Sequence, residues 1–410
     1  MKYVVIVGDG MPDYPIDEIG GLTPLEYAHT PHMDMMCRRG EVGTTSNVPE
    51  GMPAGSDVAN LSLLGYDPLR YYTGRAPIEA VAMGVDLGEK DVAFRCNLVT
   101  LSQEEYYSKR VMLDYSADEI STKEAASLLE EISSRLGTEK FHFHAGVSYR
   151  HLMVWQEGAG DIVLIPPHDI SGLEIGGYLP RGAGADVILE LMENSSTFLP
   201  EHAVNKERAK RGLGIASSIW IWGQGTRLFL DSFAQKYALE GTVISAVDLV
   251  KGLGLCAGLS VAEVSGATGN INTNYRGKAL KALEKLHAGN DFVFIHIEAP
   301  DEAGHRGELE TKIKAIEEID EKVVGEVLGG LDSFKDVKIM VLADHPTPLA
   351  LRTHTSEAVP FVIYRKGNPE HNRQISFNEK LAMQGRHLQQ GFTLMDYFIL
   401  DDCPGGKGRL

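Results

Sequence analysis

Four short apolar runs, each beside an acid or a histidine, constrain this chain more than any other feature. Residues 3–7 lead into Gly8-Asp9-Gly10, and Phe292–Ile297 leads into Glu298-Ala299-Pro300-Asp301. Residues 339–342 are followed by Ala343-Asp344-His345, and residues 359–364 come shortly after His354. The runs are nearly continuous rather than alternating, the pattern of strands buried on both faces of a largely parallel sheet. Helical patterns lie between them, at 276–286 and 308–328 among others. The expected architecture is therefore α/β, a doubly wound and largely parallel sheet.

At 410 residues the chain is long enough for two cores. From about 74 to 242 the pattern changes. Strand candidates at 92–101 and 151–156 and a helix candidate at 117–136 are separated by loops rich in Gly and Pro, such as PPHDISGLEIGGYLPRGAGA. No strand here ends on a candidate metal ligand. The economical organisation is a first domain made of 1–73 and 243–410, with a smaller α/β domain, 74–242, inserted into it. The tail from Asp401, DDCPGGKGRL, is expected to fray.

The formal net charge of −18 excludes non-specific nucleic-acid binding, which needs lysines and arginines on phosphates. It leaves room for a small phosphorylated substrate, because cations and arginines set the field inside a pocket. No apolar stretch approaches the roughly 18 residues of a membrane span, so no membrane partner is expected. The N-terminal run lacks a small-residue cleavage site and reads as a buried strand. Cys37, Cys96, Cys256 and Cys403 are scattered without a CxxC pair, which makes a reducing cytoplasm the simplest compartment. A homo-oligomer is compatible with all of this.

In parallel sheets, functional groups gather at the carboxyl ends of strands. Asp9, Asp301, Asp344 and His345 all fall there. One acid after a strand is an ordinary turn former or helix cap. Several such sites mixing Asp with His point instead to divalent cations: manganese, zinc or cobalt, with magnesium at an oxygen-rich position. Asp301 and His305 are one helical turn apart, and His354 lies in RTHTSEAVPF. The adjacent side chains of Asp344 and His345 diverge, and either face different ions or approach one ion from two sides. Ser56 follows Pro53-Ala54-Gly55 and opens an apolar helical stretch, where it could cap the helix or act as a nucleophile. A helix start favours phosphate oxygens, and coordination to a cation activates a hydroxyl.

The stretches VIVGDGMPDYP, AGSDVANLSLLGYDP, YYTGRAPIEA, SIWIWGQG, AVDLVKGLG, IEAPDEAGHRGE, LADHPTP and RTHTSEAVPF span essentially the whole chain. In that order they resemble the archaeal type of cofactor-independent phosphoglycerate mutase, within the alkaline phosphatase superfamily. The resemblance implies an alkaline-phosphatase-like fold and two divalent ions, with no requirement for 2,3-bisphosphoglycerate. It implies that Asp9, Ser56, Asp344 and His345 hold one ion and Asp301, His305 and His354 the other. Ser56 would be the phosphorylated nucleophile, and Lys251 would neutralise the transferring phosphoryl group. The insert would bind the rest of the substrate through Arg150, His168, Asp169 and Arg181, with Arg95, Asn97 and Arg75 as further candidates. Guanidinium groups suit carboxylates and phosphates, and His or Asp can shuttle protons.

The implied activity is interconversion of 3-phosphoglycerate and 2-phosphoglycerate through a phosphoserine. The alternatives are a related phosphotransferase such as a homoserine kinase-like enzyme, a metal-dependent phosphohydrolase or sulfatase-like hydrolase, and a metal-binding protein without catalysis. The large glycine-rich insert favours a mutase over an open hydrolase, and an intact Ser56 argues against lost catalysis. His305-Arg306-Gly307 differs in order from the Arg-His-Gly of phosphohistidine mutases.

Overall fold

In a computed structural model, described for residues 1–371 and 375–400, the N-terminal run forms the strand Lys2–Gly8, buried from its second residue on. It lies inside an eight-stranded sheet, between Phe292–Ile297 and Val337–Leu342, and runs parallel to both. Gly241–Ile244 and Ser260–Val261 extend the parallel part on one side. On the other side Val359–Arg365 runs antiparallel to both of its neighbours, Val337–Leu342 and Glu41–Thr45, and Arg386–Leu388 closes the edge parallel to Glu41–Thr45. The sheet is thus largely parallel with one reversed strand. A strand buried on both faces carries no alternation that would reveal its direction, so the run at 359–364 did not disclose the reversal.

The helical pattern at 308–328 is realised as Leu309–Ile319, a π-helical turn Asp320–Val324, and Gly325–Gly330. The buried Asp320 carboxylate accepts the N–H groups of His32 and Met33, which ties the π turn to the helix Pro31–Arg39. Such widened turns arise where a helix must bend its register to satisfy a partner.

The chain divides into two compact units, Met1–Tyr72 with the described residues from Phe229 onward, and Thr73–Leu228. The second junction lies at 228, not 242. Residues 229–242 include the helix Phe233–Tyr237 and the start of Gly241–Ile244, a strand of the eight-stranded sheet, so they belong with the first unit. The second unit is built on Val92–Leu101, flanked by Arg150–Trp155 and Ser218–Thr226, all antiparallel. The helix expected at 117–136 begins only at Thr122. Ala117, Asp118 and Glu119 have left-handed backbones, with φ of 50, 58 and 45°, and Ser121 caps the helix by accepting the N–H of Glu124. The tail from Asp401, including Cys403, lies outside the described residues. Among the described residues no helix is long and apolar enough to cross a membrane.

Candidate active site

Three strands of the parallel part deliver their acids to one edge. Asp9 follows Lys2–Gly8, Asp344 and His345 follow Val337–Leu342, and Asp301 lies in the first turn of the helix Ala299–Arg306, just beyond Phe292–Ile297. Gly10 has a left-handed φ of 65°, and a Cβ there would stand 2.7 Å from the Asp301 Cα and 2.6 Å from the Thr347 Oγ1. Only glycine lets these loops approach so closely. Gly10→Ala is expected to cost on the order of 2–4 kcal/mol in stability, from left-handed strain plus overpacking. Urea unfolding of the variant beside the wild type reads that loss.

Ser56 is the first residue of the helix Ser56–Leu63. The N-cap is Gly55, so the Ser56 hydroxyl does not cap the helix. Its Oγ lies 3.0 Å from the His345 Nε2 instead. One turn on, Asn60 donates from Nδ2 to the Ser56 carbonyl at 2.9 Å and to the Asp344 Oδ2 at 2.8 Å, joining the helix to the loop that carries Asp344 and His345. The His345 Nε2 is 3.4 Å from the Asp344 Oδ2 and 3.6 Å from the Asp9 Oδ1. A second group forms beside it. The His305 and His354 Nε2 atoms are 2.8 Å apart, and each lies 3.3 Å from one oxygen of Asp301.

These spacings test whether a cation fits. Atoms bound to one ion at about 2.0–2.2 Å lie about 2.8–3.6 Å from one another, depending on coordination number. The distances among the Ser56 hydroxyl, the carboxylates and the imidazoles all fall in that window. The His305 Nδ1 donates to the Arg352 carbonyl at 3.0 Å, which turns Nε2, the atom that would ligate, toward His354 and Asp301. That outer hydrogen bond is the usual means of orienting a metal-ligating imidazole. The residues present therefore fit divalent cations.

Charge is concentrated here. Burial together with the negative charge of Asp344 raises the Asp9 carboxyl well above the usual range. Burial pushes Asp301 the same way, but hydrogen bonding to His305 and His354 prevails and holds it well below. Asp9, Asp344 and His345 are all about 1% exposed, and acids and imidazoles at this density suit a compensating cation. Among the grouped acids and imidazoles, only those around Asp301 are open to solvent, His305 at 37% and His354 at 24%, while Ser56 beside the other group is half-buried.

Lys251 does not directly follow a strand, since Gly241–Ile244 ends well before it. It sits in the helix Asp248–Cys256, which packs on Ser56–Leu63, and its Nζ takes the Glu263 carboxylate at 2.9 Å and Asp248 at 3.6 Å. In the second unit, Arg95 and Arg75 converge on the half-buried Glu79 at 3.0 and 2.8 Å. The charge of Arg150 also helps hold the Glu79 carboxyl low, against the effect of burial. The Arg95 guanidinium covers the Trp222 ring at 4.4 Å, and His168 packs edge-on against that ring at 5.3 Å. The Trp222 indole N–H donates to the Asn97 Oδ1. Arg95, Asn97 and His168 are thereby brought together around Trp222. Asp169 is exposed beside His168, and Arg181, exposed on the short strand Arg181–Gly182, donates to the Gly177 carbonyl and joins none of these contacts.

Sequence reasoning missed Asn60, Thr347, His296, Glu79 and Trp222. The Thr347 hydroxyl donates to the Asp301 Oδ1. His296 was legible in principle, as the one polar residue inside the apolar run Phe292–Ile297 and five residues before Asp301.

A serine set among carboxylates and imidazoles, at the carboxyl edge of a mostly parallel sheet, places the chain among α/β proteins equipped to hold divalent cations around a hydroxyl. A family model described as 2,3-bisphosphoglycerate-independent phosphoglycerate mutase matches residues 37–205. A Geobacter sulfurreducens protein named as a probable enzyme of this kind is 51% identical over 400 residues, covering 97% of this chain and 100% of that protein. A Methanosarcina barkeri relative with the same name is 47% identical, covering 94% and 96%. Among solved structures, a Pyrococcus horikoshii protein aligns with a TM-score of 0.80 and 32% identity, covering 98% of this chain and 96% of that one. The cofactor-independent phosphoglycerate mutase of Thermoplasma acidophilum aligns with a TM-score of 0.63 and 27% identity, covering 97% and 99%. The chain belongs to the family of 2,3-bisphosphoglycerate-independent phosphoglycerate mutases.

Proposed function

We propose that this chain interconverts 3-phosphoglycerate and 2-phosphoglycerate through a phosphoserine formed on Ser56. Its family supports the reaction, and one observation carries the assignment of the nucleophile: the Ser56 Oγ, free of any capping role, lies 3.0 Å from the His345 Nε2 among the grouped acids and imidazoles. In the first step the Ser56 Oγ attacks the phosphorus of 3-phosphoglycerate, and the bond from phosphorus to the C3 oxygen breaks. The bound glycerate then presents its 2-hydroxyl, which attacks the phosphoserine and releases Ser56. Two divalent cations, manganese or its substitutes magnesium, zinc and cobalt, would lower the pKa of the serine hydroxyl and offset charge on the phosphoryl oxygens. Asp9, Ser56, Asp344 and His345 would hold one, and Asp301, His305 and His354 the other.

The start of the helix Ser56–Leu63 adds partial positive charge where phosphoryl oxygens gather. Lys251 is assigned to the same charge. Its present partners, Asp248 and Glu263, are exposed, and ion pairs of that kind are weak enough to exchange. In the second unit, Arg150, Arg95 and Arg75 supply guanidinium groups suited to a carboxylate or phosphate. His168 and Asp169 are the candidates for proton transfer to the substrate hydroxyls. Arg181 is retained as a further substrate residue on charge alone. The cytoplasm, where phosphoglycerates are made and consumed, is the proposed compartment.

The test is an enolase-coupled assay on metal-loaded protein with 3-phosphoglycerate and no 2,3-bisphosphoglycerate, run beside an assay with homoserine and ATP. Turnover is expected in the first. Activity confined to the second would overturn the reading.

A further inference from the structure

We propose that His296 is an eighth metal ligand, binding through Nε2 the same cation as Asp9 and Asp344. The inference rests on the reading of this centre as a two-cation site and extends it by a residue outside the seven.

His296 is 1% exposed and is the penultimate residue of the strand Phe292–Ile297. Its Nε2 stands 3.1 Å from the Asp9 Oδ2, yet it makes no hydrogen bond, and neither does the Asp9 Oδ1. A donor and a carboxylate so close normally align, because a buried polar atom left unpaired is costly. Two lone-pair atoms that converge without alignment, at the spacing of neighbouring ligands, are arranged to share a cation. The ligand atoms of Asp9, His296 and Asp344 all lie within 4.8 Å of one another, as do those of the Asp301, His305 and His354 group.

The surroundings fix His296 in this attitude. Its Nδ1 lies 3.4 Å from the Ser245 Oγ, which also accepts the N–H of Val247. Placing the ring proton on Nδ1 toward Ser245 assigns the lone pair to Nε2. The buried Lys278 Nζ donates to the His296 carbonyl at 2.9 Å, anchoring the strand end. The Asp9 carboxylate then uses both oxygens, Oδ1 on the side of His345 and Oδ2 on the side of His296.

The consequence is an asymmetric pair. The cation beside Ser56 gains a protein shell of Asp9, Ser56, Asp344, His345 and His296, whereas the other keeps Asp301, His305 and His354. Closed shells are characteristic of tightly held ions, and open ones of ions that accept substrate. The solvent exposure of His305 and His354 agrees with that division.

Manganese titration by calorimetry and pulsed EPR on protein labelled with 15N-histidine test the proposal. Wild type is expected to bind two ions with four directly coupled imidazole nitrogens. His296→Asn is expected to lose one coupled nitrogen and to weaken one binding event by about a hundredfold or more, the upper limit for loss of an outer-shell partner. Circular dichroism of the apo variant checks folding. Should it not fold, X-ray absorption on the cobalt-loaded wild type still decides between four imidazoles per pair of ions and three. Two bound ions with three imidazoles overturns the role of His296 alone. An unchanged nitrogen count in His296→Asn with weaker binding does the same, and makes it a positioning residue. Failure of the wild type to bind two ions overturns the two-cation reading itself.

Discussion

Ser56→Ala is expected to lower mutase turnover by at least about a thousandfold, since a covalent route has no substitute for its nucleophile. The fold should barely register the change. Ser56 opens the helix Ser56–Leu63, but the cap position belongs to Gly55, and the hydroxyl's recorded contact is with the His345 Nε2. Removing it therefore costs no cap, and the buried His345 Nε2 that loses its partner is left to the cation it would ligate. Cation binding should persist in weakened form, because Asp9, Asp344 and His345 remain on the same side and Asn60 still holds the Asp344 Oδ2. Three measurements separate the roles: enolase-coupled rates, manganese titration, and mass spectrometry of the protein quenched during turnover. Phosphate should appear on the peptide containing Ser56 in wild type and vanish in the variant. Turnover within about tenfold of wild type would sink the nucleophile assignment, because loss of a nucleophile removes far more than that.

Much of the ligand edge was legible in the sequence because its cause is local. A continuous apolar run is a doubly buried strand, and whatever polar residue ends it must sit at the sheet's edge, which is how Asp9, Asp344 and His345 announce themselves. What was lost lies in tertiary pairings. The reversed strand Val359–Arg365 looks like its neighbours because burial on both faces erases direction. The helix at Thr122–Leu136 seemed to start at 117 because three left-handed residues carry no compositional mark, Ala117 being an unusual choice for such a backbone. Trp222 and Glu79 read as core and surface residues of separate segments. Only the antiparallel register of Val92–Leu101 with Ser218–Thr226 brings Arg95 opposite Trp222. His296 shows the same limit at closer range: a histidine inside an apolar strand is by default a packed core residue, and only the 3.1 Å approach to Asp9 gives it another meaning.

Lys312 is the residue that sequence reasoning hides best, and its replacement carries the second large effect. In the amphipathic helix Leu309–Ile319 a lysine reads as a solvated side chain, yet this one is 0% exposed. Its ammonium donates to the Asp13 Oδ2 at 2.7 Å, the Thr347 carbonyl at 2.8 Å and the Pro12 carbonyl at 3.3 Å. Pro12 and Asp13 continue the loop that begins with Asp9, and Thr347 continues the one that begins with Asp344 and His345 while its hydroxyl holds Asp301. One buried ammonium therefore fastens the loops bearing both groups of candidate ligands. Lys312→Met keeps the length and removes the charge, leaving the Asp13 carboxylate buried with only the N–H groups of Tyr14 and Leu349. Breaking one partner of such a pair costs about 3–5 kcal/mol, more than the pair itself contributes, since an uncompensated charge remains inside. The expected result is a large drop in urea midpoint, with manganese affinity falling in parallel as the loops loosen. Asp13→Asn added to Lys312→Met should restore much of the stability by removing the stranded charge. It should restore little of the metal affinity, because the tether between Pro12 and Thr347 stays cut. If the double variant recovers both, or the single variant loses neither, Lys312 is not the strut that positions the ligands.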